Sequence, residues 1–201
     1  MNNEPRIIVD NFLPNPEEYR KHALSQNFYN IKGPDGELYK RISVQPSDEF
    51  QPLLSKVLEV PVAVGYSLLR LNYEAEIPNF AVHSDNSYDE YAGILYLNTP
   101  EQCKQHKSGT AFFRHKSTGF ASFPTPEEIE ASGQDAAHVY ENFALSWNNL
   151  DNWEVIEEVE MKFNRLLLYS TKRFHARWPL TAFGNTPETG RLIQVFFFSI
   201  A

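Results

Sequence analysis

Three side chains in this sequence have the types and order of a metal-binding set. His83 and Asp85 are two residues apart in an apolar stretch that we expect to be extended, and side chains at i and i+2 of an extended chain lie on one face. His175 follows much later in the chain. If a later strand carries His175 to the same point, two imidazoles and one carboxylate surround one ion from one side and leave the opposite positions open.

The elements that must position these residues are mostly strands. Apolar, β-branched and aromatic stretches predict strands over 64–73, 91–98, 109–115, 165–170 and 191–200, and the apolar run with the His-x-Asp pair is predicted to be extended as well. Strands of this number favour two packed sheets or a jelly-roll barrel.

The N-terminal part is predicted to add flanking helices. A short apolar strand within 6–13 leads into a helix in which Asn15 is the expected cap and Pro16 the first helical residue. A turn is predicted between Lys32 and Leu38, and a second helix near Pro52. We therefore predict a mainly β fold with N-terminal helices packed on one sheet.

A small helical insertion is predicted at about 120–152. Thr125 and Glu128 have the spacing of a capping box, Ser132-Gly133 ends that helix, and a second helix is predicted from Asp135 to Ser146. The insertion could act as a lid over a site or could serve packing alone, and the sequence leaves both open.

Composition bounds the remaining possibilities. The 201 residues, 42% of them hydrophobic, suffice for one sizeable core, so one domain spanning 1–201 is predicted. The net charge of -8 argues against a nucleic-acid partner.

Cys103 is the only cysteine, which excludes an intrachain disulfide. Without a signal peptide or an apolar run of membrane-spanning length, the default expectation is a cytoplasmic protein with no membrane partner, and the oligomeric state stays open.

Several stretches, in order, resemble the 2-oxoglutarate- and Fe(II)-dependent oxygenase superfamily, in particular an uncharacterised bacterial group of its prolyl-hydroxylase-like branch. They are RLNYEAEIPNFAVHSD (70–85), ILYLN (94–98), the Gly-Thr strand at 109, RLLLYS (165–170), RFHARWP (173–179) and GRLIQVFFF (190–198). The resemblance implies a double-stranded β-helix, the cupin-like jelly roll. It also implies Fe(II), O2 and 2-oxoglutarate, with hydroxylation of a C–H bond in a small amino-acid-derived molecule or a peptide and release of succinate and CO2.

The resemblance also implies roles for individual residues. His83, Asp85 and His175 would be the iron ligands, and Arg191 would pair with the far carboxylate of 2-oxoglutarate. Tyr73 and Tyr96 fall where this branch often places tyrosines that hydrogen-bond the co-substrate.

One departure concerns the co-substrate cation. Arg191 follows His175 by sixteen residues, where the family usually has about ten, and we expect 183–190 to form a lengthened hairpin loop. Arg177 is the alternative cation. A further set is expected to line the substrate side of the mouth: Arg114, His115, Arg177 and Trp178.

Two other interpretations stay open. The chain could be a non-catalytic small-ligand-binding protein on a jelly-roll scaffold, or a cupin-type metalloenzyme that does not use 2-oxoglutarate. A zinc protease is disfavoured because the sequence has no H-E-x-x-H motif, and an α/β-hydrolase because it has no G-x-S-x-G motif.

Overall fold

The computed structural model describes residues 6–33, 36–76, 78, 81–85 and 88–201. These residues form ten strands, which are β1 Ile7–Val9, β2 Tyr29–Lys32, β3 Leu38–Val44, β4 Val62–Asn72, β5 Tyr91–Tyr96, β6 Gly109–His115, β7 Trp153–Glu160, β8 Leu166–Ser170, β9 His175–Trp178 and β10 Arg191–Ile200.

The described residues also form five α-helices. They are α1 Pro16–Leu24, α2 Gln51–Leu58, α3 Pro100–His106, α4 Pro126–Ser132 and α5 Ala136–Ser146, and a single 3-10 turn at Leu150–Asn152 precedes β7. None of the helices in the described part is long and apolar enough to cross a membrane.

The strands form two antiparallel sheets. The larger sheet has the order β1-β8-β5-β10-β4-β3-β2, and the smaller one has the order β7-β6-β9. The central strand β10 pairs with β4 on one side and with β5 on the other. The predicted mainly β jelly roll, a double-stranded β-helix, is confirmed.

Alternation along β10 shows how the larger sheet separates two cores. Phe196 and Phe198 pack with α1 and α2 on the outer face, whereas Ile193, Val195 and Phe197 face the space between the sheets, because neighbouring residues of a strand point to opposite faces. The N-terminal helices therefore cover one sheet, as predicted, and the inner face is left for the site.

The helical insertion covers the outer face of the smaller sheet. Val139 and Phe143 of α5 form a third core with Phe113 and Phe174. The capping box of α4 is present, with the Thr125 side chain accepting from Glu128 N and the Glu128 side chain accepting from Thr125 N. Its position supports the packing interpretation of 120–152, since this core lies on the face of β6 opposite to the inter-sheet core.

Several local expectations were wrong or incomplete. The chain between β9 and β10 is a crossover from the smaller to the larger sheet, not a hairpin loop, because β9 pairs with β6 and β10 with β4 and β5. The Asn15 side chain makes no capping hydrogen bond. The turn at 32–38 joins β2 and β3, a hairpin that was not predicted, as α3 and β7 were not; Pro34 and Asp35 lie outside the described residues.

Candidate active site

Backbone hydrogen bonds bring the His-x-Asp segment to the segment with the second histidine. His83 N donates to His175 O at 3.1 Å, His175 N donates to His83 O at 2.8 Å, and Asp85 N donates to Thr171 O at 2.8 Å. His83 forms only this isolated bridge and is not part of a longer strand. The extended stretch that we expected is therefore a short pinned segment, but it places both side chains as a strand would.

The end of the helical insertion supports the same segment. The carbonyl oxygen of Trp147, the residue after α5, accepts hydrogen bonds from Ala81 N at 3.0 Å and Val82 N at 3.1 Å. Val82 is also buried in the core that the insertion shares with the smaller sheet. The insertion thus anchors the backbone of the two residues that precede His83.

The three predicted metal ligands lie together. One ligand atom from each of His83, Asp85 and His175 lies within 4.8 Å of the others. The His83 Nε2–Asp85 Oδ1 distance is 4.0 Å and the His175 Nε2–Asp85 Oδ2 distance is 3.7 Å. Asp85 Oδ2 and His83 Nδ1 are buried and have no hydrogen-bond partner among the described residues. Buried polar atoms without a partner are costly, so this cluster fits a bound divalent ion.

The protonation of these groups suits metal binding. Burial lowers the pKa of His83 well below its ordinary value, and the neighbouring His175 and Arg70 lower it further, so its imidazole is neutral at neutral pH. Burial raises the pKa of Asp85, and His175 and Arg70 oppose that rise. His175 Nδ1 lies 2.9 Å from the Arg173 carbonyl oxygen. Because a carbonyl only accepts, Nδ1 carries the proton and Nε2 faces the cluster with its lone pair.

Arg191 lies buried at the inner end of β10. Its guanidinium is 5.7 Å from the ring centroid of Tyr96 and makes two long hydrogen bonds, from Nη1 to Asn72 Oδ1 at 3.4 Å and from Nη2 to Gly109 O at 3.3 Å. Its Nε is buried and unpartnered within the described ranges. Tyr96 is fully buried beside it, with its hydroxyl 2.7 Å from Thr110 Oγ1.

The guanidinium of Arg177, the alternative cation, already has partners within the chain. Its side chain donates from Nε and Nη2 to Leu180 O and from Nη2 to Glu76 O at 3.3 Å, and Nη1 lies 3.9 Å from Glu76 Oε2. These contacts tie β9 to the segment before the metal ligands. Arg191 therefore has more capacity for a bound carboxylate than Arg177 has.

Four other predicted site residues lie away from the cluster. Tyr73 packs at the edge of the outer core, where the Arg41 guanidinium is 4.2 Å from its ring centroid. Trp178 is three residues from His175 on β9, so it points to the other face and packs edge-on against Phe113. His115 is buried among the insertion residues and bonds Thr118 and Ser146. Arg114 pairs with Glu154 at the partly exposed end of β6.

Three residues near the cluster were not predicted. The Tyr169 hydroxyl lies 3.1 Å from His175 Nε2. Glu76 is buried and binds Asn72 Nδ2 at 2.9 Å and Arg41 Nη2 at 3.1 Å. Arg70 lies near the end of β4, two residues before Asn72, on the same face as Arg191. The sequence signal for Arg70 was available, because it is the one charged residue in the strand VAVGYSLLRLN.

A groove of about 670 Å³ lies beside the segment that precedes His83. Its lining includes Glu76, Ala81, Asn148 and Leu180. Glu76 and Leu180 are the residues that bind Arg177, and Ala81 lies two residues before His83. The volume is in the range of small-molecule sites. The described lining includes Ala81 but none of the three proposed metal ligands.

Comparison with solved structures defines the class of fold. A prolyl hydroxylase from Trichoplax adhaerens, in complex with a hypoxia inducible factor peptide, matches with a TM-score of 0.56 at 13% identity, over 98% of this chain and 84% of that one. The non-haem α-ketoglutarate-dependent epimerase SnoN from nogalamycin biosynthesis matches with a TM-score of 0.54 at 12% identity, over 97% and 78%. The carbocyclase SnoK from the same biosynthesis matches with 0.53 at 12%, over 97% and 80%. The chain has the fold of the 2-oxoglutarate-dependent oxygenases.

Sequence comparison places the chain in a family. It belongs to DUF6445, a family of unknown function, whose match covers residues 1–198. Among curated proteins, none matches the chain in sequence.

Proposed function

We propose that the protein is a non-haem Fe(II)- and 2-oxoglutarate-dependent dioxygenase that hydroxylates a C–H bond of a small molecule or peptide. The observation that carries the proposal is the convergence of His83, Asp85 and His175 inside the fold of such oxygenases, with two buried atoms of this set lacking a partner among the described residues. These three residues would hold the ion from one side. We further propose that this one domain acts in the cytoplasm, without a nucleic-acid or membrane partner.

Arg191 is proposed to bind the far carboxylate of 2-oxoglutarate. A guanidinium binds a carboxylate through paired, charge-assisted hydrogen bonds. Among the described residues, Arg191 Nε has no partner and its Nη atoms make two long hydrogen bonds. The hydroxyls of Tyr96 and Thr110 lie in the same buried region and can donate to that carboxylate. A low local dielectric strengthens these contacts.

The rest of the site would orient the ligands and exclude water. When bound, Fe(II) with 2-oxoglutarate supplies the activation of O2, so that the substrate C–H, O2 and 2-oxoglutarate become C–OH, succinate and CO2. The chain contributes a neutral His83, a His175 whose ring is oriented by the Arg173 carbonyl, and apolar walls that include Phe112 and Ile193.

The test is formation of succinate from 2-oxoglutarate in the presence of Fe(II) and air, without added substrate. We expect slow turnover in the wild type and none in His175→Ala, whereas His138→Ala, on an exposed face of α5, keeps the wild-type rate. A wild-type protein that binds iron but forms no succinate would instead fit a non-catalytic binding protein.

Arg191→Met separates the proposal from a cupin-type enzyme that does not use 2-oxoglutarate. We expect this variant to keep its iron and to need at least about tenfold more 2-oxoglutarate for half-maximal turnover, because a charge-assisted pair is lost. Unchanged dependence on 2-oxoglutarate would contradict the role of Arg191.

A further inference from the structure

Arg70 is a second inner arginine that neither the metal nor 2-oxoglutarate accounts for. It is paired across β10 with Ile193 and across β3 with Ile42. Residues directly opposite in an antiparallel pair share a face, and Ile193 faces the inter-sheet core two residues from Arg191. The guanidinium of Arg70 therefore enters the space between the sheets beside the proposed co-substrate site.

Among the described residues, no carboxylate forms an ion pair with this guanidinium. Its Nε is buried and unpartnered, and no side chain or carbonyl in the described ranges accepts a hydrogen bond from it or forms an ion pair with it. The ring centroid of Tyr39 lies 5.8 Å from Cζ of Arg70. Arg177 differs from Arg70 in this respect, because its guanidinium binds Leu180 O and Glu76. An unpartnered inner arginine lowers stability, so its presence is best explained by a ligand.

Arg70 shares the inner face of the larger sheet with Arg191. Burial lowers the pKa of its guanidinium, and the carboxylates of Glu76 and Asp85, neither of which is in ion-pair contact with it, raise that pKa. The residue is partly exposed, so a ligand can reach it. The two carboxylates of 2-oxoglutarate are matched by the ion and by Arg191, which leaves the charge of Arg70 unmatched.

We propose that Arg70 binds an oxyanion group of the primary substrate, and that this enzyme therefore acts on an anionic small molecule. This inference rests on the proposed function. A carboxylate and a phosphate monoester are both suitable, because each presents paired oxygens to the planar guanidinium. Tyr39 is a second contact for the substrate on the β3 side. Arg70 is a substrate-positioning residue whose charge sets the substrate class.

The experiment compares matched anionic and neutral probes. Protein loaded with Fe(II) and 2-oxoglutarate under argon is titrated with 3-phenylpropanoate, N-acetylleucine and phenyl phosphate, each beside its neutral counterpart, namely 3-phenylpropanamide, N-acetylleucinamide and phenol. Binding is followed by the change in the visible band of the iron chelate and by the shift in Tm. We expect at least one anion to bind about tenfold or more tightly than its neutral counterpart. The phosphate arm separates the two kinds of oxyanion.

The variants decide whether Arg70 is the cause. In Arg70→Met we expect the preference for the anion to fall to within about twofold. In Arg70→Lys part of the preference returns, because a positive charge remains. Lys40→Met removes an exposed charge on the neighbouring strand β3 and should leave the preference at the wild-type level. Affinity for 2-oxoglutarate stays within about threefold of wild type in Arg70→Met, in contrast to Arg191→Met.

Three results would overturn the inference: no preference for any anion in the wild type, a preference that survives in Arg70→Met, or a loss of 2-oxoglutarate affinity in Arg70→Met as large as in Arg191→Met. A wild type that forms no iron chelate refutes the proposed function instead. In that case the Tm titration without metal still shows whether Arg70 binds the anions.

Discussion

The hydroxyl of Tyr169 lies 3.1 Å from Nε2 of His175, the atom proposed to bind the metal. Because Nδ1 of the same ring donates to the Arg173 carbonyl, Nε2 has only a lone pair to offer, and the hydroxyl is the donor. The Tyr169 hydroxyl is therefore directed at the lone pair of Nε2 that a bound ion would use. The hydroxyl must release Nε2 when the metal binds.

Tyr169→Phe tests this relationship. We expect the metal-free variant to lose about 1 kcal/mol of stability, since a buried acceptor is left without its donor, and metal affinity to rise by up to about fivefold because the competing hydrogen bond is gone. Thermal denaturation without metal and a Mn(II) titration measure the two effects. A tenfold loss of Mn(II) affinity would show instead that the hydroxyl supports the bound ion.

Phe143→Ala tests whether the insertion supports the ligand segment. The Phe143 side chain is buried against Phe174 and Trp147, so the substitution should cost about 3–5 kcal/mol of stability. Because the Trp147 carbonyl holds Ala81 and Val82, we also expect weaker Mn(II) binding.

Leu145→Ala on the same helix is the matched control, since the Leu145 side chain is 75% exposed. It should leave both stability and Mn(II) affinity close to wild type. If Phe143→Ala retained wild-type stability but changed only the turnover of 2-oxoglutarate, the insertion would act as a lid.

Asp10→Asn tests an ion pair far from the site that ties the end of β1 to the segment before β8. Asp10 accepts from Lys162 Nζ at 2.6 Å and from Arg165 Nε at 2.7 Å, and the hydrogen bonds from Arg165 and then Lys162 lower its pKa below the ordinary 3.8. A carboxyl whose folded pKa is lowered stabilises the protein above its unfolded pKa and loses that contribution as the pH falls through the folded value.

The wild type should therefore have a higher Tm than Asp10→Asn at pH 7, and the difference should shrink steadily below about pH 4. Asp48→Asn, at an exposed position, should show no such pH-dependent difference. An equal Tm of wild type and Asp10→Asn at pH 7 would show that solvent screening cancels the pair.

The sequence was sufficient for the elements with dense apolar patterns. The strands β4, β5, β6, β8 and β10 are rich in apolar residues, and the capping box at Thr125 marks α4. The strands β2, β3 and β7 were not predicted, because exposed polar residues interrupt their buried positions, as in WEVIEEVE of β7. The helix α3 is capped by Thr99 with the same capping pattern as α4, so a signal for it was present.

Within the site, sequence spacing predicted which residues lie close together better than it predicted the face of the sheet on which a residue lies. His83 and Asp85 converge because they are two residues apart and pinned to the segment 171–175. Trp178 was misplaced although its three-residue spacing from His175 already puts it on the opposite face of a strand. His115 was misplaced because the face on which it lies depends on the strand register of β6, which sequence spacing does not fix. Arg70 and Tyr169 are assigned to the site only by the register of β4 and by the hydrogen bond to His175.

The most direct test of the account is an anaerobic titration of the wild-type protein with Fe(II) and 2-oxoglutarate, followed by visible absorption. We predict one iron per chain and the charge-transfer band of the iron chelate, with the band lost in Asp85→Ala while the protein stays folded. A folded wild-type protein that shows no band at saturating Fe(II) and 2-oxoglutarate would contradict the account.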